Sequence, residues 1–239
     1  MTGPEAGITR DSIAVDWEYQ GRPFKLVDTA GMRKRPRVVD GIEKMSVEDS
    51  LRAIRLAQVV ILVIDAQTAF EKQELQIADH VIKEGRALVI AVNKWDTITD
   101  RKKAQEDLRY KLDVSLAQIK NIPFVTLSAL NMNNVDRVLE TVLEIYATWN
   151  KRVKTAGLNR WLAAMESQNP APLVQGRRNR LKYITQIKTR PPTFALWVSQ
   201  PDALPHTHTR FIINGLREHC DIPGVPIRLL VRKSKNPYD

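Results

Sequence analysis

A chain of 239 residues is long enough for one large or two modest domains with real cores, and 43% hydrophobic with 27% charged residues is an ordinary globular composition. Charge is unevenly placed: residues 151–239 hold 16 Lys and Arg against 5 Asp and Glu, residues 1–150 are near balance, and so the net +10 lies in the last third. The longest apolar runs, Val59–Ile64 and Ala87–Val92, fall far short of the roughly 20 residues that cross a bilayer, and positions 1–20 carry Glu5, Asp11, Asp16 and Glu18 without a signal-peptide core, so neither a membrane span nor secretion is expected.

Met1–Ser12 has no periodicity and is expected to be a loop. Ile13–Tyr19 and Phe24–Asp28 alternate apolar and polar residues about a Gly21-containing turn, the pattern of a β-hairpin. A basic stretch with Arg33, Lys34, Arg35 and Arg37 precedes a helix expected from about Ile42 to Ala57. Val59–Asp65 follows as a buried strand ending in an acid, and Glu71–Glu84 as an amphipathic helix with Leu75, Ala78, Val81 and Ile82 on one face. Ala87–Val92 is apolar throughout, as in strands covered on both faces, and runs directly into Asn93, Lys94, Trp95 and Asp96. A charged helix near Lys102–Leu112, a strand at Pro123–Leu127 ending at Ser128 and Ala129, and a helix at Val135–Trp149 complete residues 1–150. Strands alternating with helices in this rhythm predict an α/β three-layer domain on a mostly parallel sheet.

Ligands are expected at the C-terminal ends of such strands. The Asp96 carboxylate can accept parallel hydrogen bonds from the N1 and N2 donors of guanine, which adenine does not present in that arrangement. Asn93 can tie neighbouring loops together, and the Lys94 stem can lie along a base. Asp28-Thr29-Ala30-Gly31 places an acid able to hold a hydrated Mg²⁺ through water, and a glycine whose N–H can approach a terminal phosphate.

Taken in order, Gly7-x-Thr9-Arg10-Asp11, Asp28-x-x-Gly31, Asn93-Lys94-x-Asp96 and Ser128-Ala129 resemble the translation-factor-related GTPases, and more closely the second GTPase domain of the bacterial ribosome-assembly GTPase Der (EngA) family. The resemblance implies a P-loop-GTPase-type fold, GTP or GDP as ligand and Mg²⁺ as cofactor. It gives Thr9 the switch role that senses Mg²⁺ and the terminal phosphate, Asp28 and Gly31 the second phosphate sensor, and Asn93, Lys94 and Asp96 guanine specificity. Ser128 and Ala129 would form the loop whose backbone N–H contacts the guanine oxygen. Met32 stands where many small GTPases orient water with glutamine; the family implication is that K⁺ and the switch backbone help instead.

One departure is large. No G-x-x-x-x-G-K-[ST] loop occurs in the chain, and only eight residues precede Thr9, so the first strand and phosphate loop of the fold are missing from this sequence. The expectation is a base that can be read, phosphates held weakly, negligible hydrolysis, two unpaired sheet edges and a truncated reading frame.

Residues 151–239 form the second expected domain. A helix from Thr155 or Ala156 to Gln168, strands at Leu181–Lys188 and Thr193–Ser199, a helix at His206–Cys220 and a strand at Ile227–Arg232 resemble the small α+β KH-like domain that ends Der. No G-x-x-G occurs here, so the ordinary KH nucleotide clamp is absent. Arg177, Arg178, Arg180, Lys182, Arg232, Lys233 and Lys235 are the expected contacts to ribosomal RNA. The lone Cys220 is expected to be a core thiol, and His206 with His208 lacks the clustered ligands of a metal site.

Two functions remain open from sequence. One is a GTP-binding protein of large-subunit ribosome biogenesis; the other is a non-catalytic RNA- or ribosome-binding module, or gene fragment, with a guanine-specificity remnant. A cytoplasmic location, the large ribosomal subunit and its RNA as partners, and neither membrane nor DNA are expected in both.

Overall fold

The computed structural model describes residues 13–28 and 50–233. Strands β1 (Ile13–Tyr19) and β2 (Arg22–Asp28) pair antiparallel, with Trp17 opposite Phe24 and Tyr19 opposite Arg22. Gln20 and Gly21 both adopt positive φ, as a two-residue turn matched to strand twist requires. The rings of Trp17, Tyr19 and Phe24 cluster with centroids 6.1–6.4 Å apart.

A second sheet has the order β3 (Val59–Asp65), β4 (Ala87–Asn93), β5 (Phe124–Thr126), all parallel. Its strands are connected through α2 (Lys72–Lys83) and α3 (Arg101–Ser115); α1, helical over described residues 50–56, precedes β3, and α4 (Val135–Trp149) follows β5. Alternation along β4 divides its apolar run between two layers. Leu88, Ile90 and Val92 pack with Val81, Leu108 and Leu112 from α2 and α3, while Ala87, Val89 and Ala91 face Val138, Val142 and Ile145 from α4. That two-sided burial is why β4 lacks polar alternation.

The third sheet has the order β6 (Leu181–Lys188), β7 (Thr193–Val198), β8 (Arg228–Lys233), with β6–β7 antiparallel and β7–β8 parallel. Helices α5 (Thr155–Gln168) and α6 (His206–His219) supply Leu158, Leu162, Met165, Ile212 and Leu216 to the core beneath it. Cys220 is buried at the end of α6, and burial pushes its thiol up to about 11, as befits a core residue. Arg217 is only 4% exposed. Its guanidinium donates to Val225 O at 2.6 Å and Ile222 O at 3.4 Å, holding the α6–β8 connection, and burial lowers its pKa to about 10.

The two halves share one core. The cluster that contains Ala87, Val89, Ile145 and Trp149 continues into Leu158, Ile184 and Phe194. The Gln186 amide bridges the junction by accepting from Val153 N–H at 2.8 Å and donating to Lys151 O at 3.0 Å. Gln186→Leu leaves both backbone groups without this partner, so it is expected to destabilise the chain by about 2 kcal/mol. The check is a lower urea midpoint at unchanged slope.

β3 is the edge of its sheet, and β2 pairs only with β1 among the described residues. Val63, in mid-strand, is 61% exposed, and Val15, Trp17, Leu26 and Val27 of the hairpin are also exposed. Strand faces this apolar ordinarily belong under a covering layer.

Candidate functional site

The C-terminal ends of β3, β4 and β5 lie side by side, with Asp65 opposite Asn93 and Val92 opposite Thr126. The chain leaves β4 through Lys94, whose φ of 61° turns it into a 3₁₀ turn at Trp95–Thr97. Trp95 N–H donates to Leu127 O at 3.0 Å, and Leu127 N–H to Val92 O at 2.9 Å, so the β4 and β5 exits are stitched together. Asn93 completes the link: its Oδ1 accepts from Ala129 N–H at 2.9 Å, while its carbonyl accepts from Ala66 N–H at 2.9 Å.

Ser128 is buried and pairs in both directions with Asn133, at 3.1 and 3.0 Å, closing the 128–133 loop. Its Oγ accepts from Asn131 N–H at 3.3 Å. Asn134 anchors the far side by donating to Thr126 O at 3.0 Å. Lys94 Nζ sits 2.7 Å from Asp65 Oδ2, and Gln67 N–H donates to Asp65 Oδ1 at 2.9 Å. The lysine end is well exposed, so this ion pair adds little stability and serves instead to orient the Lys94 stem across the strand ends. The Asp96 carboxylate is exposed and makes no hydrogen bond or ion pair with another described residue. Its acceptor capacity is therefore available to a ligand.

Asn93, Lys94, Asp96, Ser128 and Ala129 are thus brought together. Asp28 lies at the end of β2 in the separate hairpin sheet and is exposed. Thr9, Gly31 and Lys235 lie outside the described residues. Sequence reasoning noted an acid ending β3 without giving it a task, and the structure supplies one in the Lys94 pair. No spacing along the chain signals it; the β3–β4 register sets Asp65 beside Asn93. The structure also spends the Ala129 N–H on Asn93 Oδ1, so a base oxygen approaching that loop has to share or replace this bond.

The basic residues meet at one end of the third sheet. Val174 and Arg177 exchange backbone bonds at 2.9 and 3.0 Å around Gln175 and Gly176, both at positive φ, making a tight turn that displays Arg177 and Arg178. Beyond it exposure alternates. Arg178, Arg180 and Lys182 are exposed, whereas Asn179 and Leu181 are buried. Asn179 holds this alternation in place by a reciprocal amide pair with the Gln200 backbone at 2.8 and 2.9 Å. Leu181 pairs with Val198, which pairs with Lys233, so the 177–182 run and the exposed Arg232 and Lys233 converge.

A parallel-sheet domain with Asn93, Lys94, Asp96, Ser128 and Ala129 gathered at its strand ends, followed by an α+β domain, is the arrangement of a GTPase-type protein with a KH-like appendage. Family models agree: the elongation factor Tu GTP-binding domain matches residues 2–148, and the KH-domain-like region of EngA bacterial GTPases, C-terminal, matches residues 152–232. The chain belongs to the GTPase Der (EngA) family and corresponds to its C-terminal part. It is 54% identical over 238 residues to GTPase Der of Brucella anthropi, covering all of this chain and 49% of that protein. It is 51% identical over 239 residues to GTPase Der of Rhizobium etli, covering 50% of it. The chain therefore spans about half the length of these curated relatives. Among solved structures, Era bound to MgGDPNP and nucleotides 1506–1542 of 16S ribosomal RNA shares the fold, with a TM-score of 0.52 and 16% identity over 98% of this chain and 85% of that one. Among the described residues no helix is long and apolar enough to cross a membrane.

Proposed function

We propose that this chain is the guanine-reading and RNA-docking part of a cytoplasmic GTP-binding protein that acts in assembly of the large ribosomal subunit. The observation that supports it most is the tie between the two loops of the base site, Asn93 Oδ1 to Ala129 N–H. In this reading the Asp96 carboxylate takes the N1–H and N2–H of guanine, the Lys94 stem covers the base, and the Ser128–Ala129 backbone faces the guanine oxygen, which shares the Ala129 N–H with Asn93 Oδ1. Thr9, Asp28 and Gly31 act toward the terminal phosphate. An exposed carboxylate at a strand end suits a water-mediated hold on a cation, so Asp28 with Thr9 would retain Mg²⁺, whose charge offsets that of the phosphates. K⁺ is a further ion of the same reading. Because no G-x-x-x-x-G-K-[ST] segment occurs in these 239 residues, they are assigned base specificity and not the main phosphate grip. Titration of this chain with fluorescent GDP and ADP tests the assignment: a weak but guanine-selective response supports it, and equal responses overturn it.

RNA docking is assigned to Arg177, Arg178, Arg180, Lys182, Arg232, Lys233 and Lys235. Affinity for ribosomal RNA is expected to fall log-linearly with salt by about 0.7 to 0.9 per phosphate contacted. Replacing Arg177, Arg178 and Arg180 together by alanine is expected to lower that slope by about 2. A filter-binding series in KCl reads it directly, and a flat salt dependence would remove the RNA role.

A further inference from the structure

The three strands of the third sheet carry Lys182, Lys188, Arg228, Arg232 and Lys233 and no carboxylate. One side of the sheet is committed to the core through Ile184, Phe194 and Leu196. The opposite side is open at its two outer strands and closed at its centre: Ala195 and Thr193 of β7 are buried, and Trp197 beside them is half-buried. Strand register sets Tyr183 beside Trp197 and Trp197 beside Arg232, in a single row across all three strands. The Tyr183 and Trp197 rings are 5.4 Å apart, tilted by 58°, and the Arg232 guanidinium lies 5.8 Å from the Trp197 ring centre. Tyr183 is 44% exposed, and Leu230 in the adjacent row is 41% exposed.

Packing does not account for this row, because its rings face away from the core side. A surface with two aromatic faces, a rim of cations and no anion matches the needs of an unpaired nucleic-acid strand. Any base can stack on the rings, and the cations neutralise the neighbouring phosphates. A protein-docking patch is expected instead to be matched to its partner in both signs of charge, whereas these strands carry cations alone. The sequence adds a second reason: without a G-x-x-G loop in residues 151–239, base contact in this domain has to be made by some other surface.

We propose that the solvent-facing side of β6–β7–β8 is a stacking platform for one or two unpaired bases of an RNA strand, with Tyr183 and Trp197 as the stacking rings and Arg232 as the phosphate contact beside them. The proposal rests on the reading that the basic domain docks on RNA. It separates two jobs: Arg177, Arg178 and Arg180 hold the backbone at the sheet end, and the aromatic row engages bases.

The test uses the full 239-residue chain and two fluorescein-labelled strands of about a dozen units, one of oligouridylate and one an abasic ribose-phosphate chain of equal length. Fluorescence anisotropy at low salt is expected to show the base-bearing strand bound at least about tenfold more tightly than the abasic strand. Tyr183→Ala and Trp197→Ala are each expected to remove most of that margin while leaving abasic binding unchanged. Trp197→Phe, which keeps a ring, is expected to preserve the margin and so separates loss of stacking from loss of fold. Equal binding of the two strands by the parent chain, or an undiminished margin in both alanine variants, would overturn the platform while leaving RNA docking in place. If neither strand binds at any salt concentration, RNA docking and the platform fall together. A chain that ignores both strands and captures RNA-free ribosomal protein marks a protein-docking face, which also overturns the proposal.

Discussion

Asp96→Asn is expected to exchange guanine preference for xanthine preference. In the parent chain the carboxylate presents two acceptors to the N1–H and N2–H donors of guanine. The asparagine amide keeps one acceptor and turns its NH₂ toward the exocyclic NH₂ of the base, donor against donor. Xanthine carries oxygen at that position and accepts the amide hydrogen instead. A site that hydrogen-bonds its ligand rejects the mismatched one far more strongly than an apolar pocket does. The ratio of GDP to xanthosine diphosphate affinity is therefore expected to shift by about a hundredfold or more, two mismatched polar contacts each being worth roughly 1–3 kcal/mol. Equilibrium dialysis with GDP, ADP and xanthosine diphosphate measures the ratio, which is the informative quantity when the phosphates are weakly held. An unchanged GDP to ADP ratio in Asp96→Asn would take Asp96 out of the base site. The exposure of Asp96 and its lack of a described protein partner make the experiment clean, because the substitution removes no bond that holds the fold.

The stretches that read clearly from sequence are those where one period dominates. β4 is apolar at every position from Ala87 to Val92, and only a strand covered on both sides consumes such a run; the structure covers it with α2 and α3 on one face and α4 on the other. The helices at Val135–Trp149 and His206–His219 likewise follow their apolar stripes. Motif residues that share one strand end, such as Asn93 and Asp96, were legible because four positions fix their own separation. Longer-range matches were not. That Asp65 orients Lys94 depends on the β3–β4 register, and that Asn93 occupies the Ala129 N–H depends on where the 128–133 loop folds back. The aromatic row on the third sheet was invisible for the same reason. Tyr183, Trp197 and Arg232 lie on three strands, and no spacing along the chain links them.

Trp149→Ala is expected to be among the most destabilising single substitutions in the chain, because Trp149 closes the contact between the two halves. It is the last residue of α4, 1% exposed, with its indole N–H donating to Gly85 O at 3.0 Å. Gly85 lies in the α2–β4 connection at a φ of +78°, and a Cβ there would lie 2.7 Å from Pro191 Cγ in the β6–β7 turn. Arg228, at the start of β8, donates to Lys83 O at 3.2 Å across the same seam. The buried indole thus packs into the core shared by both halves and satisfies the carbonyl of buried Gly85 at this seam. Truncating a buried tryptophan costs about 3–5 kcal/mol through lost contacts and the cavity left behind. For a chain of this size that lowers the melting temperature by roughly 6–20 °C. Gly85→Ala attacks the seam from the other side, by strain and by collision with Pro191, and is expected to cost about 1–3 kcal/mol. Since both act on one contact, the double variant is expected to lose less than the sum of the two, with a coupling of at least about 0.5 kcal/mol. Additive losses in a double-mutant cycle read by urea unfolding would show instead that α4 and the β6–β7 turn are stabilised independently.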